Sequence, residues 1–231
     1  MALESDQIQI NNAQTRIHLQ PIAAPSILGF YGLAGATFMV AAHMAHWYGT
    51  GISALYLFPF AAMFGGLAQF LAGMWAFKAR DGVATAVHGM WGAFWMAYGI
   101  LTVVFAFGRL APPVGAWPEL GFWFIVLAAI TWVCVAAATA ENKGFVTTLT
   151  FLAAGATTAA IGELMGVEWL MMLTGWLFII ASIAAWYTGS ALMLKEAFGH
   201  TVWGLGESRR ARDMHPIAVG VGEPGVIHGQ A

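Results

Sequence analysis

Hydrophobic residues fall along this chain in six long blocks, separated by short polar or glycine- and proline-bearing breaks. The blocks run at about 25–47, 55–77, 83–109, 119–140, 144–165 and 169–194. Each is near the ~20 apolar residues that a helix needs to cross a bilayer. The breaks carry turn signals: Tyr48-Gly49-Thr50-Gly51, Lys78-Ala79-Arg80-Asp81-Gly82, Glu141-Asn142-Lys143-Gly144, Gly166-Val167-Glu168, and a longer stretch with Pro112, Pro113, Gly115 and Pro118. Residues 1–23 are polar, and residues 208–231 read as a flexible tail rich in glycine. The pattern predicts an all-α integral membrane protein: a six-transmembrane-helix bundle over residues 24–207 with a polar tail at each end.

Composition points the same way. Hydrophobic residues make up 60% of the chain and charged residues only 9%, against about 25% charged in soluble domains. Basic residues are unevenly placed. Six spans put Arg16, Lys78, Arg80, Lys143, Lys195, Arg209, Arg210 and Arg212 on one side and only Arg109 on the other. That bias predicts cytoplasmic N and C termini and a place in the cytoplasmic (inner) membrane. The first twenty residues lack the apolar core of a signal peptide. One cysteine, Cys134, excludes an intrachain disulfide. With no room for a soluble catalytic domain, the bundle's interior must do the work.

The first block opens Pro25-Ser26-Ile27-Leu28-Gly29, and Gly29, Gly32 and Gly35 then recur every third residue. Proline suits the first helical turn, where its missing N–H costs nothing. Small residues let helices approach closely in lipid. The simpler reading is a packing helix; the sharper one is a central helix that lines a narrow path.

Ionisable residues within the spans are few: His43, His88 and Glu163, with Glu141 at a boundary. Each costs at least ~2.5 kcal/mol in lipid, which invites a functional reading. His43 falls near the outer end of span 1 and His88 near the inner end of span 3. Two such imidazoles are badly placed to share one haem iron. There is no Cys-x-x-Cys-His, no His-Glu-x-x-His and no carboxylate cluster. No cofactor, metal or enzymatic chemistry is therefore expected, and no nucleic-acid partner. Glu163 lies at a depth similar to His43, and the pair could pass a proton to a bound anion. The simpler reading solvates Glu163 at the membrane boundary, gives His43 a packing hydrogen bond and leaves His88 at the inner interface. For Gln69, mid-span in Phe64-Gly65-Gly66-Leu67-Ala68-Gln69, structural bonding and pore lining stand level. A path nearly free of fixed charge suits a small solute of low charge.

Several stretches resemble the acetate uptake transporter family, the succinate–acetate permeases. Pro25, Leu28 and Gly29 match that family's Asn-Pro-Ala-Pro-Leu-Gly-Leu motif, while Ala24, Ile27 and Phe30 depart from it. Phe64-Gly65-Gly66-Leu67-Ala68-Gln69-Phe70-Leu71-Ala72-Gly73 is similar to its second-span run, and Gly92-Ala93-Phe94-Trp95 to its third. Phe198-Gly199-His200-Thr201-Val202-Trp203-Gly204-Leu205-Gly206 resembles the segment after its last span, with Trp203-Gly204 departing from a proline. The likeness covers residues 24–207 in order.

The resemblance implies a homo-hexamer in the lipid bilayer, each protomer carrying acetate and, in some members, succinate or another short carboxylate. Symport with a proton and an anion channel are both argued for the family. It also implies an apolar constriction, which maps onto Leu33, Trp91 and Leu152. Leu33 and Trp91 replace the family's Phe and Tyr, which bears on substrate identity more than class. By span position, Ser26, Thr37 and Gln69 are candidates to hold the substrate, with Ala36, Ala153 and Ala185 leaving room beside them. Glu163 and His43 are the candidates for proton coupling. The alternatives are a membrane-embedded redox or scaffold subunit using His43 or His88, and a channel for another small solute.

Overall fold

The computed structural model describes residues 22–208, apart from Gly51, Arg109 and Pro112. The two tails therefore lie almost wholly outside the described residues, as do Arg16, Arg109, Arg209, Arg210 and Arg212 of the charge bias. Six helices are long and apolar enough to cross a membrane: α1 Pro25–Met44, α2 Ser53–Ala79, α3 Gly82–Ala106, α4 Pro118–Ala138, α5 Lys143–Met165 and α6 Glu168–Phe198. Among the described residues the one extended pairing is an isolated bridge between Asn142 and Glu207.

Local chemistry explains where the helices begin and end. Pro25 and Pro118 occupy first turns. The Asp81 carboxylate accepts from the Ala84 N–H at 2.8 Å and caps α3, and the Asn142 amide oxygen accepts from the Phe145 N–H at 2.9 Å and caps α5. Gly166 ends α5 in the left-handed conformation at φ 65°. Three boundaries move from those predicted. α1 stops at Met44, α3 stops at Ala106, and α6 continues to Phe198 as a helix of 31 residues. α2 is irregular inside: after Pro59, residues Ala62–Ala68 wind as a π-helix. Wide turns of this kind are rare and often sit at functional positions.

Each helix packs on its neighbours in sequence, and α6 closes back on α1 to complete a ring; α1 also touches α3. The backbone of α5 approaches neither α1 nor α3 closely, so side chains fill the middle. Phe30, Leu33, Trp91, Leu149, Leu152 and Phe178 belong to that core. Small residues lock α1, α2 and α3 together. A Cβ on Gly32 would strike the Phe64 carbonyl, one on Gly73 would lie 2.6 Å from the Gly89 nitrogen, and one on Gly92 would lie 2.7 Å from the Phe70 nitrogen. Gly35, the third of the row in α1, is exposed. Steps of three fall about 60° short of a full turn, so the row rotates out of the contact.

We call the end where α1 begins and α6 finishes the proximal end. There residues 199–208 fold back as a strap. The N–H groups of Lys143 and Gly144 donate to the carbonyls of Gly206 and Leu205 at 3.1 and 3.2 Å, and the Ser208 N–H donates to Glu141 at 2.8 Å. Trp203 stacks on Tyr187, with centroids 5.4 Å apart. Lys195 pairs with Glu207 at 2.6 Å. In the nearby α4–α5 turn, burial pushes the Glu141 carboxyl up to about 7, and the Asp81 carboxylate adds to the rise.

Two outcomes follow from this packing. Gly73→Ala should lower the detergent-solubilised melting stability by about 1–3 kcal/mol, the range for overpacking. Gly89→Ala, whose Cβ would meet nothing within 4 Å, should leave it unchanged or raised. For Glu141 the folded state binds the proton more tightly than the unfolded chain. Its contribution to stability is therefore fully present below about 4.5 and lost as pH rises through about 7. Glu141→Gln should flatten that part of the pH–stability curve and be the more stable form at alkaline pH.

Candidate transport pathway

Leu33, Trp91 and Leu152 each lie eight or nine residues into a helix that starts at the proximal end. At 1.5 Å per residue that puts all three about 12–14 Å deep, at one level. They are 0%, 2% and 0% exposed and share one continuous core. Trp91 is held in place: its indole N–H donates to the Thr131 hydroxyl at 3.0 Å, and Thr131 donates on to the Leu127 carbonyl at 2.6 Å. Its ring meets Phe178 edge to face at 6.1 Å. Thr131 was not a sequence candidate. Its signal was a lone hydroxyl in the apolar run of α4, meaningful only once α4 is known to face α3.

Beyond this level, toward the distal end, lies a cavity of about 190 Å³. Trp91 reaches its wall, and aromatic rings such as Phe58, Phe94 and Phe178 make much of the rest. Its polar lining is sparse: Thr37, His43, Tyr98 and Glu163, with the Trp95 indole. The His43 Nδ1–H donates to the Tyr48 carbonyl at 3.1 Å, leaving Nε2 free of that bond. Glu163 and Tyr98 are close enough to interact electrostatically. Glu163 lies two residues before the end of α5 and is half-buried. α5 runs on to Met165, and the Trp117 N–H donates to the Glu163 carbonyl at 2.7 Å, so the chain before α4 folds over this position. Glu163 and His43 line one cavity.

Toward the proximal end the interior side chains are buried. Levels can be read from the glycine contacts. Gly29 seats the His88 ring, Gly32 abuts Gln69, and Gly65 abuts Ala36 and Trp95. Along the path from proximal to distal the order is therefore Ser26, His88, Gln69, then Trp95 and Thr37. All five are buried, and their side-chain polar atoms have no hydrogen-bond partner: Ser26 Oγ, both His88 nitrogens, both Gln69 amide atoms, Trp95 Nε1 and Thr37 Oγ1. An unmatched buried polar group costs about 1–3 kcal/mol, and most such groups in proteins are paired. These five stand in one row along α1 and cross the level of the apolar residues.

His88 differs most from its sequence reading. Instead of standing at an interface it is fully buried, edge to face with Phe30 at 5.1 Å. Its depth depends on Gly29, which leaves the space the ring occupies. Along α1 this level is about 21 Å from His43, so the two imidazoles do not share a ligand. Among the described residues no group of three His, Cys, Asp or Glu side chains could hold a metal. Ala36, Ala153 and Ala185 are buried, and Ala36 also lines a groove of about 370 Å³ between α1 and α2. Small side chains here let the helices close together. Of the opening motif, Pro25 starts α1, Gly29 seats His88, and Leu28 points outward at 47% exposure.

Comparison with known proteins agrees with this architecture. Over 192 residues the chain is 26% identical to the succinate-acetate/proton symporter SatP of Escherichia coli K12, covering 81% of this chain and 97% of that one. The same figures hold for the Shigella flexneri protein of that name. The fold matches the structure of the bacterial acetate channel SatP with a TM-score of 0.73 at 22% identity, covering 80% of this chain and 100% of that one. Residues 7–202 match the family profile, as the motif resemblance leads one to expect, and the chain belongs to the GPR1/FUN34/yaaH family.

Proposed function

We propose that this multi-pass membrane protein carries acetate and related short carboxylates, succinate among the candidates, through the centre of its own helix ring. The observation that carries the reading is the row of unpartnered polar groups on Ser26, His88, Gln69, Trp95 and Thr37, interrupted by the apolar level of Leu33, Trp91 and Leu152. Weak polar stations on both sides of an apolar waist let a small solute enter, cross and leave without being trapped. The relatives named as a succinate-acetate/proton symporter and an acetate channel support the substrate class. A redox role for the histidines has no comparable support, because His43 and His88 occupy different depths.

The domain reading stays as the sequence suggests: a transporter unit over 24–207, its proximal end facing the cytoplasm of an inner membrane. The unit assembles as a homo-hexamer through the exposed apolar faces of the ring. Glu163 and His43, in the distal cavity, are the first groups a substrate would meet from outside. They couple the flux to protons if it is symport.

Labelled acetate flux into proteoliposomes, against protein-free vesicles of the same lipid, tests the reading. Leu152→Ala should raise the flux of longer monocarboxylates relative to acetate several-fold, and Ala185→Phe should reduce all of them. Unchanged flux and size selectivity in both variants would move the route elsewhere. An inward proton gradient under clamped potential separates the modes. Acceleration that Glu163→Gln abolishes means coupling; gradient-independent, voltage-sensitive flux means a channel.

A further inference from the structure

A groove of about 510 Å³ lies outside the core, between the proximal parts of α5 and α6. Lys143 and Thr147 of α5 form one wall, Ile180, Ile183, Ala184 and Tyr187 of α6 form the other, and the strap crosses its proximal end. The groove faces outward. Ile180 and Ile183 are 41% and 55% exposed, whereas Ala181, Ser182 and Ala185, on the other side of α6, are buried. The α6 wall repeats at steps of three and four residues, which makes one continuous stripe. Its proximal limit is Thr188, which meets Gly144 at the start of α5. From there to Ile180 the stripe runs about 12 Å, most of the ~15 Å depth of one leaflet's hydrocarbon.

The two ends of the groove differ in chemistry. At the proximal end the strap positions a cation. The aliphatic stem of Lys143 lies over Gly206, where a Cβ would fall 2.9 Å from the lysine Cδ, and Gly206 has the φ of 66° that favours glycine. Among the described residues the ion pairs are His46 with Glu168 and Lys195 with Glu207, so the Lys143 ammonium has no carboxylate partner and the strap's own carboxylate is already matched. Tyr187 donates its hydroxyl to the Gly204 carbonyl at 3.0 Å, and Trp203 stacks on its ring. Tyr and Trp favour the headgroup level of a bilayer. Deeper in, Ile180, Ile183 and Ala184 make the α6 wall apolar, and the Thr188 hydroxyl is spent on the Ala184 carbonyl at 2.8 Å. An unpaired cation at headgroup level, above an apolar trough almost a leaflet deep, is complementary to an anionic amphiphile. A soluble anion would leave the trough empty, and a zwitterionic lipid brings its own cation to the phosphate.

We propose that this groove binds one anionic phospholipid of the proximal leaflet, with its phosphate at Lys143 and an acyl chain along Ile180, Ile183 and Ala184. The lipid then joins α5, α6 and the strap at one point. The site rests on the chain's spanning a bilayer and stands whichever solute the interior carries. No covalent bond forms or breaks.

Native mass spectrometry of the full-length protein, delipidated in detergent and offered phosphatidylglycerol and phosphatidylcholine with the same chains, tests this. The expected result is one phosphatidylglycerol retained per protomer in preference to phosphatidylcholine. Lys143→Gln, which keeps the backbone N–H bonded to the strap, should weaken that retention about fivefold, the loss of one cation near a membrane surface. Lys78→Gln removes a lysine at the same end of the molecule but outside the groove, and should leave retention unchanged. Ala184→Trp, which fills the trough, should lower retention of both lipids. If Ala184→Trp does not keep its helical circular dichroism, the two lysine variants decide. Equal retention of the two lipids, or an equal loss in the two lysine variants, would overturn the site. Lipid-free oligomers whose Lys143 resists acetylation until they dissociate would place a second copy of the chain in the groove and overturn it as well.

Discussion

The fold depends on the close approach of α1, α2 and α3. Lipid offers no hydrophobic driving force between helices, so association must come from packing at short range. Glycines supply that range here. Gly32 lets α2 reach α1 at the Phe64 carbonyl, and Gly73 and Gly92 let α2 and α3 nearly touch backbone to backbone. Without those contacts Gln69 and His88 would not lie against α1, and the polar row would have no continuous course. The π-helical turns after Pro59 contribute to the same fit: Gly65 and Gly66 face Trp95 and Met96 of α3.

The opposite side of the ring uses other means. α4, α5 and α6 pack through alanines and threonines whose hydroxyls fold back onto their own helices. Thr148, Thr157 and Thr188 each donate to the carbonyl four residues earlier, so they add polarity without opening a gap. Thr131 does this too but also accepts from Trp91, and so one hydroxyl ties α3 to α4, the pair of sequence neighbours least in contact. The Trp91 indole thus has one donor with one partner, and no acceptor of its own.

Much of this was legible in the sequence. Six apolar blocks, their turn signals and the N-terminal prolines give the helices because length and hydropathy are local properties. The shared depth of Leu33, Trp91 and Leu152 follows once α1, α3 and α5 are known to start at one end. Other features were not legible, for a common reason. His88 is deep because Gly29, some sixty residues earlier, is empty beside it. Glu163 shares a cavity with His43 because the distal ends of α1, α3 and α5 surround one space. The strap at 199–208 is held by carbonyl and amide groups that every residue carries. Each depends on a partner distant in sequence, and a hydropathy pattern records no partners.

The proposed route would give selectivity without a strong site. A buried cation would bind an anion tightly and release it slowly, which defeats passage. On the proposed route the polar groups are a serine, a histidine, a glutamine, a tryptophan and a threonine spaced by about a turn of α1, so a solute moving from one to the next would exchange one hydrogen bond for another over about 5 Å. The apolar level in the middle removes water rather than adding affinity. The larger and more highly charged the solute, the more hydration it loses by crossing such a level, so a waist of this kind favours the smallest carboxylates of lowest charge.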